Sequence, residues 1–266
     1  MKKTEVPRRT FIKKAGLIGA SGLLMPTILK SNSLSENTTI MNRPKVLFFD
    51  VNETLLDLTS MKGAVSEVLE GRDDLLPLWF TTMLQYSLVV SASGQYEHFG
   101  VIGAAALQMV AKNEGISVDI ERAKSVISSE IQSLPPHPEV KEALTSLKDN
   151  GYKLVSFTNS SNQGVKAQFE HAGLTHFFDE RLSVEDVGKF KPFTETYDWG
   201  AKKMGLQPKE CMLVAAHGWD VAGALWAGWR AAFIDRPGKQ LFPLAPETEI
   251  QAPDLKQVAD KLIQYQ

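Results

Sequence analysis

At 266 residues, with 43% hydrophobic and 23% charged side chains and a formal net charge of −2, the chain has the length of one large domain or of a core carrying a smaller insertion. Cys211 is the single cysteine, which excludes an intramolecular disulfide. It stands in the apolar run Cys211-Met-Leu-Val, read as a buried strand carrying a packed thiol. Residues 1–41 carry seven Lys/Arg against two Glu, so the remainder is net acidic, a poor surface for nucleic acid or anionic membranes.

The N-terminal stretch Arg8-Arg9-Thr10-Phe11-Ile12-Lys13-Lys14 precedes uncharged residues from Ala15 to Leu29. That is a basic region followed by a short apolar one, too short to span a bilayer comfortably and without a stable membrane partner in the mature form. The paired arginines followed by Phe-Ile-Lys resemble a twin-arginine export signal, which implies export machinery as a partner and a periplasmic or otherwise exported location. An uncleaved amphipathic anchor is the competing reading. Residues 31–43 read as a Ser/Asn/Thr-rich linker, so 1–43 form a leader, with Met41 as an alternative internal start that would give a cytoplasmic form.

From Lys45 the pattern predicts an α/β fold. Lys45–Phe49 is an apolar run ending at Asp50, consistent with a buried parallel strand. Residues 60–134 hold no strand signal; helices are predicted over Leu75–Val90, Phe99–Asn113 and Ile120–Ile131, as an inserted all-helical cap subdomain. Pro135-Pro136-His137-Pro138 forms a rigid hinge, and a helix over Glu139–Lys148 stops at Asn150-Gly151. Then follow a strand at Tyr152–Phe157, a helix from Gln163, a helix over Thr194–Met204, a strand at Cys211–Ala216, a helix near Asp220 and a strand at Arg230–Ile234. The alternation predicts a Rossmann-like, three-layer core with a parallel sheet, made of residues 44–59 and 135–266. In such sheets ligands sit at the carboxyl ends of the strands.

Three polar clusters fall at those ends: Asp50–Thr54, Thr158-Asn159-Ser160 and His217–Asp220. An ionised, oriented aspartate can displace a leaving group and form an ester, while the same residue can simply cap a turn. Thr158 and Asn159 suit an anion at a strand end, against an ordinary N-cap for the next helix. His217 and Glu53 belong to strand ends expected to be neighbours. Paired, they make a general base for water, with Glu53 fixing the imidazole tautomer; a structural histidine is the rival.

Together, Asp50-Val-Asn-Glu-Thr54-Leu-Leu-Asp57, Phe157-Thr158-Asn159-Ser160, Lys191-Pro192 with Tyr197 six residues on, and Val214–Asp220 resemble the four motifs of the haloacid dehalogenase superfamily, closest to its type II L-2-haloacid dehalogenases, over roughly residues 45–240. The resemblance implies Asp50 as nucleophile, held by Thr54 and by Lys191 (rather than Lys189), with Asp220 supporting Lys191. It implies Thr158 and Asn159 on the substrate carboxylate, and Phe80, Leu84, Phe99, Tyr197 and Trp219 around the substrate. The implied reaction converts a short 2-haloalkanoic acid to a 2-hydroxyalkanoic acid, and homodimers are possible. The chain departs from the family patterns at Asn52, Phe80, Ala215 and His217, with Ala215 where dehalogenases often have serine. Asn52 stands where the phosphatases of the superfamily place a second aspartate, His217 where dehalogenases often have asparagine, and Phe80 where a halide-accepting arginine is familiar. With Asp220 the one acid in the fourth motif, neither metal nor other cofactor is expected. Another hydrolase of the superfamily, such as a phosphatase, and a non-catalytic binding protein are the alternative functions.

Overall fold

The computed structural model describes residues 42–266; residues 1–41, where the sequence reading puts an export signal and an internal start at Met41, lie outside the described residues. The first strand, β1 (Val46–Phe49), is four apolar residues, all buried, as a strand covered on both faces requires. The chain then turns through Asp57, whose side chain accepts the Thr59 N–H, and enters α1 (Lys62–Val68), α2 (Leu76–Ala92), α3 (Phe99–Asn113) and α4 (Ile120–Gln132). These helices pack in sequence order, α2 on α3 and α3 on α4. Pro77 sits in the first turn of α2, where its missing N–H costs nothing, and Asp119 caps α4 through the Arg122 N–H.

The helical stretch leaves and returns at one place. The Asp57 N–H donates to Pro135 O at 2.8 Å, and the His137 N–H to Leu55 O at 3.0 Å. From there α5 (Val140–Asp149), β2 (Leu154–Thr158), α6 (Asn162–Ala172), β3 (Glu180–Ser183), α7 (Thr194–Lys203), β4 (Cys211–Ala215), α8 (Gly218–Trp226), β5 (Arg230–Ile234), β6 (Ile250–Ala252) and α9 (Leu255–Leu262) follow. The strands form one sheet in the order β3-β2-β1-β4-β5-β6, and every neighbouring pair is parallel.

β1 lies between β2 and β4, so the residues after Phe49, Thr158 and Ala215 leave the sheet side by side. Helix ends follow local chemistry: α5 stops at Asn150 with Gly151 at φ 73°, and Ser161 caps α6 through the Gly164 N–H. Ser161, rather than Thr158 or Asn159, therefore carries the capping duty. Cys211 is fully buried in β4, and burial pushes its thiol up to about 12, which leaves it unreactive.

Candidate active site

Asp50 follows β1 directly and is nearly buried, with its backbone N–H donating to Val214 O of β4 at 3.1 Å. Its carboxylate is gripped from three sides. Lys191 Nζ donates to Oδ1 at 2.9 Å, while Thr54 Oγ1 (2.7 Å) and His217 Nδ1 (2.9 Å) both reach Oδ2. Each carboxylate oxygen offers two lone-pair directions. Oδ2 has both filled and Oδ1 has one, so Oδ1 is the oxygen left to attack. Burial alone would raise the Asp50 pKa; Lys191, His217 and Thr54 outweigh it and hold the carboxyl well below the usual carboxylate range.

Lys191 is fully buried, and its ammonium spends its three donors on Asp50 Oδ1, Phe157 O (2.9 Å) and Asp220 Oδ2 (2.5 Å). Burial works against its charge, but Asp220 and Asp50 raise its pKa, so it stays an ammonium. Asp220, in the first turn of α8, receives the Tyr197 hydroxyl on its other oxygen at 2.6 Å. Tyr197 is thereby corrected from a substrate contact to a support: its ring is wholly buried and its hydroxyl is committed to Asp220. Gly223 permits this approach, because a Cβ there would meet Pro192 Cβ at 2.4 Å and the Tyr197 hydroxyl at 2.6 Å.

Glu53 and His217 meet as the sequence pairing requires, with Nε2 2.8 Å from Glu53 Oε2. The second contact, of Nδ1 on Asp50 itself, is new and changes the state of the ring. Burial would depress the His217 pKa, but hydrogen bonds to two carboxylates raise it to about 9. At neutral pH the resting ring is an imidazolium donating both N–H groups, not a free base. Burial would raise the Glu53 pKa, but His217 and Lys239, whose Nζ lies 2.6 Å from Oε1, outweigh it and hold the carboxyl below its usual range. Glu53 takes φ 60°, a left-handed conformation uncommon for a residue with a side chain. Asp220, Lys191, Asp50, His217, Glu53 and Lys239 thus form one row of alternating charges. Transferring ions from water costs several kcal/mol each, and alternation with close hydrogen bonds offsets that cost.

The remaining sequence candidates distribute around this row. Thr54 also accepts the Ala216 N–H at 2.9 Å, which fixes its hydroxyl toward Asp50. Asn159 Oδ1 accepts the Lys191 N–H at 3.1 Å, and Thr158 Oγ1 accepts the Ser160 N–H at 3.1 Å, so both side chains shape the turn that lies beside the nucleophile. Asn52 is engaged by Gln168 Nε2 of α6 at 2.7 Å. From the helices, the Phe80 ring stacks on His217 at 6.0 Å, and Trp219 lies against His217 at 5.1 Å. Leu84, one turn beyond Phe80 on α2, is half-buried. Phe99 sits apart from that pair, 5.7 Å from the ring of Phe190 beside Lys191. Residues that sequence reasoning missed are Lys239, Gln168 and Arg236, whose guanidinium donates to Thr54 O at 2.7 Å. Arg236 and Lys239 lie just past the carboxyl end of β5, where the strand-end rule points.

The family model described as haloacid dehalogenase-like hydrolase matches residues 44–228. An (S)-2-haloacid dehalogenase of Pseudomonas sp. strain YL is 29% identical over 221 residues, covering 83% of this chain and 95% of that protein. Haloacetate dehalogenase H-2 of Moraxella sp. strain B is 28% identical over 199 residues, 74% of this chain and 88% of its own length. In fold, the chain is similar to the L-2-haloacid dehalogenase of Xanthobacter autotrophicus with chloropropionic acid covalently bound, with a TM-score of 0.77 at 23% identity, covering 82% of this chain and 97% of the other.

Proposed function

The chain belongs to the haloacid dehalogenase-like hydrolases, and on that footing we propose that it hydrolyses the carbon–halogen bond of short 2-haloalkanoic acids through an ester on Asp50. The observation that carries the reading is Asp50 itself: ionised, clamped at three points and left with one open lone pair on Oδ1. An oriented carboxylate of this kind makes an in-line displacement at C2 and expels halide. Thr54 then stays on Oδ2, which becomes the ester carbonyl, and polarises it toward attack by water. His217, oriented by Glu53, takes the proton from that water.

Asn159, whose Oδ1 is taken by the Lys191 N–H, has its amide nitrogen left to donate to the substrate carboxylate. Phe80, Leu84 and Phe99, from a cap of residues 60–134, and Trp219 of α8 supply the apolar wall that excludes water from the displacement. Both oxygens of Asp220 are committed to Lys191 and Tyr197, and Asn52 to Gln168. Asn52 brings no charge and Asp220 already balances Lys191, so the anionic oxygen ligands that Mg²⁺ favours are poorly supplied, which favours metal-independent dehalogenation over phosphatase chemistry. The basic leader supports delivery of the folded enzyme to the periplasm by a twin-arginine route.

The test is halide release from chloro-, bromo- and iodoacetate and the 2-halopropionates, with and without EDTA. We expect equimolar halide and 2-hydroxy acid, indifferent to EDTA. Phosphate release from a generic phosphate ester, restored by Mg²⁺ after chelation, with no halide from any haloacid, would overturn the reading.

A further inference from the structure

The row of charges carries an instruction about timing that rests on the dehalogenase reading. At rest His217 lies between two carboxylates, Asp50 at Nδ1 and Glu53 at Nε2, and each carboxylate has a lysine behind it, Lys191 and Lys239. Alkylation of Asp50 removes one of the two anions. His217 then faces Glu53 alone, and Lys239 already balances Glu53. Asp220 still pairs with Lys191. Arg236 reaches this cluster only at Thr54 O and is paired with Glu139 at 2.8 Å, His137 reaches it only at Glu53 O, and α2 presents the uncharged ring of Phe80.

The turn that holds Lys239 is seated firmly beside His217. A Cβ on Gly218, the next residue, would stand 2.1 Å from Gln240 O, so only glycine lets this turn lie so close. Lys239 is three-quarters buried and Glu53 more so. A surface ion pair would be screened and weak; this one is sheltered and aimed at the imidazole.

We propose that Lys239 is a positioning residue of the second half-reaction: by clamping Glu53 and balancing its charge, it lets His217 give up its Nδ1 proton once Asp50 has become a neutral ester. The first half then reads: the Asp50 carboxylate and the haloacid give ester and halide, and the imidazolium gives neutral imidazole and a proton to solvent. Nε2–H stays on Glu53, so Nδ1 is the vacant position. In the second half, water adds to the ester carbonyl and gives one proton to Nδ1; its other proton passes to the departing alkoxide oxygen, so the 2-hydroxy acid leaves with Asp50 again a carboxylate and His217 again an imidazolium. One proton per turnover leaves with the halide, not with the alcohol.

The sign follows from the charges. Without Lys239, unbalanced Glu53 holds the imidazolium proton more tightly, so His217 becomes a base only at higher pH. The experiment is a single turnover of bromoacetate by excess full-length enzyme in weak buffer with a pH indicator, following bromide, protons, glycolate and the mass of the Asp50 peptide. Wild-type enzyme should release protons with bromide and ahead of glycolate. Lys239→Met should keep the bromide burst, delay the proton, accumulate the adduct at neutral pH and move the acid limb of ester hydrolysis to higher pH; Lys239→Arg should restore both. Proton release that tracks glycolate in the wild type would overturn the proposal. So would a Lys239→Met enzyme whose hydrolysis matches the wild type, or is slowed equally at every pH. Absence of bromide release from the wild type would instead sink the dehalogenase reading beneath it.

Discussion

On the sheet side of the site, each polar group that touches Asp50 is itself tied to backbone or to an opposite charge: Thr54 by the Ala216 N–H, Lys191 by Phe157 O and Asp220, His217 by Glu53. Helices α2 and α3 bring to the same place mainly rings and aliphatic carbon, with Phe80 over His217 and Phe99 against Phe190, and one hydroxyl, Ser91 of α2, which accepts the Phe190 N–H at 3.0 Å. The difference assigns labour. Charge placement, which must hold to fractions of an ångström, is built on strand ends braced by hydrogen bonds. Water exclusion, which tolerates a change of shape, is left to apolar side chains on the helices.

The comparison breaks most directly at Asp50. Asp50→Asn removes the nucleophile while keeping the shape, and turnover should fall by ~10⁴-fold or more. Circular dichroism should show the fold retained, since Asp220 still pairs with Lys191. A folded Asp50→Asn enzyme that releases halide at a tenth of the wild-type rate would end the division proposed here.

His217→Asn comes next and separates the two half-reactions. Lys191 and Thr54 still hold Asp50, so alkylation should continue, but without a base the ester should hydrolyse ~10²–10⁴-fold more slowly. The expected record is one halide per active site with the adduct mass on the Asp50 peptide. Near-wild-type turnover with no adduct would make His217 structural; loss of the first halide would move its role to binding or displacement.

The sequence made much of this arrangement legible, and its gaps have physical causes. Phe99–Asn113 and Arg230–Ile234 were readable end to end because apolar runs and their breakers coincide with the real boundaries. β3 is a short edge strand beginning Glu180-Arg181, and β6 spans three residues, so neither offers enough alternation to stand out. Glu53 and His217 could be paired because β1 and β4 are neighbours. The contact of His217 with Asp50 could not be read, since it depends on the positive φ of Glu53 and the start of α8. Lys239 lies in the turn Arg236-Pro237-Gly238-Lys239, where a lysine looks like ordinary solvated surface. The spacing of Tyr197 from Lys191 does not say where its hydroxyl goes, and the structure commits it to Asp220.

On the helical side the expected effect is the smallest. Phe80→Leu keeps an apolar side chain of similar bulk, and a swap of this kind usually costs less than ~1.5 kcal/mol of stability. Turnover should change by less than about tenfold, with KM moving more than kcat. A Phe80→Leu loss as large as that of His217→Asn would show that the ring takes part in the chemistry, and the contrast between the two sides would fail.

The covalent role of Asp50 is tested most directly by a single turnover in ¹⁸O-water with enzyme in excess over the haloacid. Attack of Asp50 followed by hydrolysis at its carboxyl carbon predicts the heavy oxygen in the Asp50 peptide and an unlabelled 2-hydroxy acid. A labelled 2-hydroxy acid with an unlabelled Asp50 would mean that water displaces the halide itself, and would contradict the account.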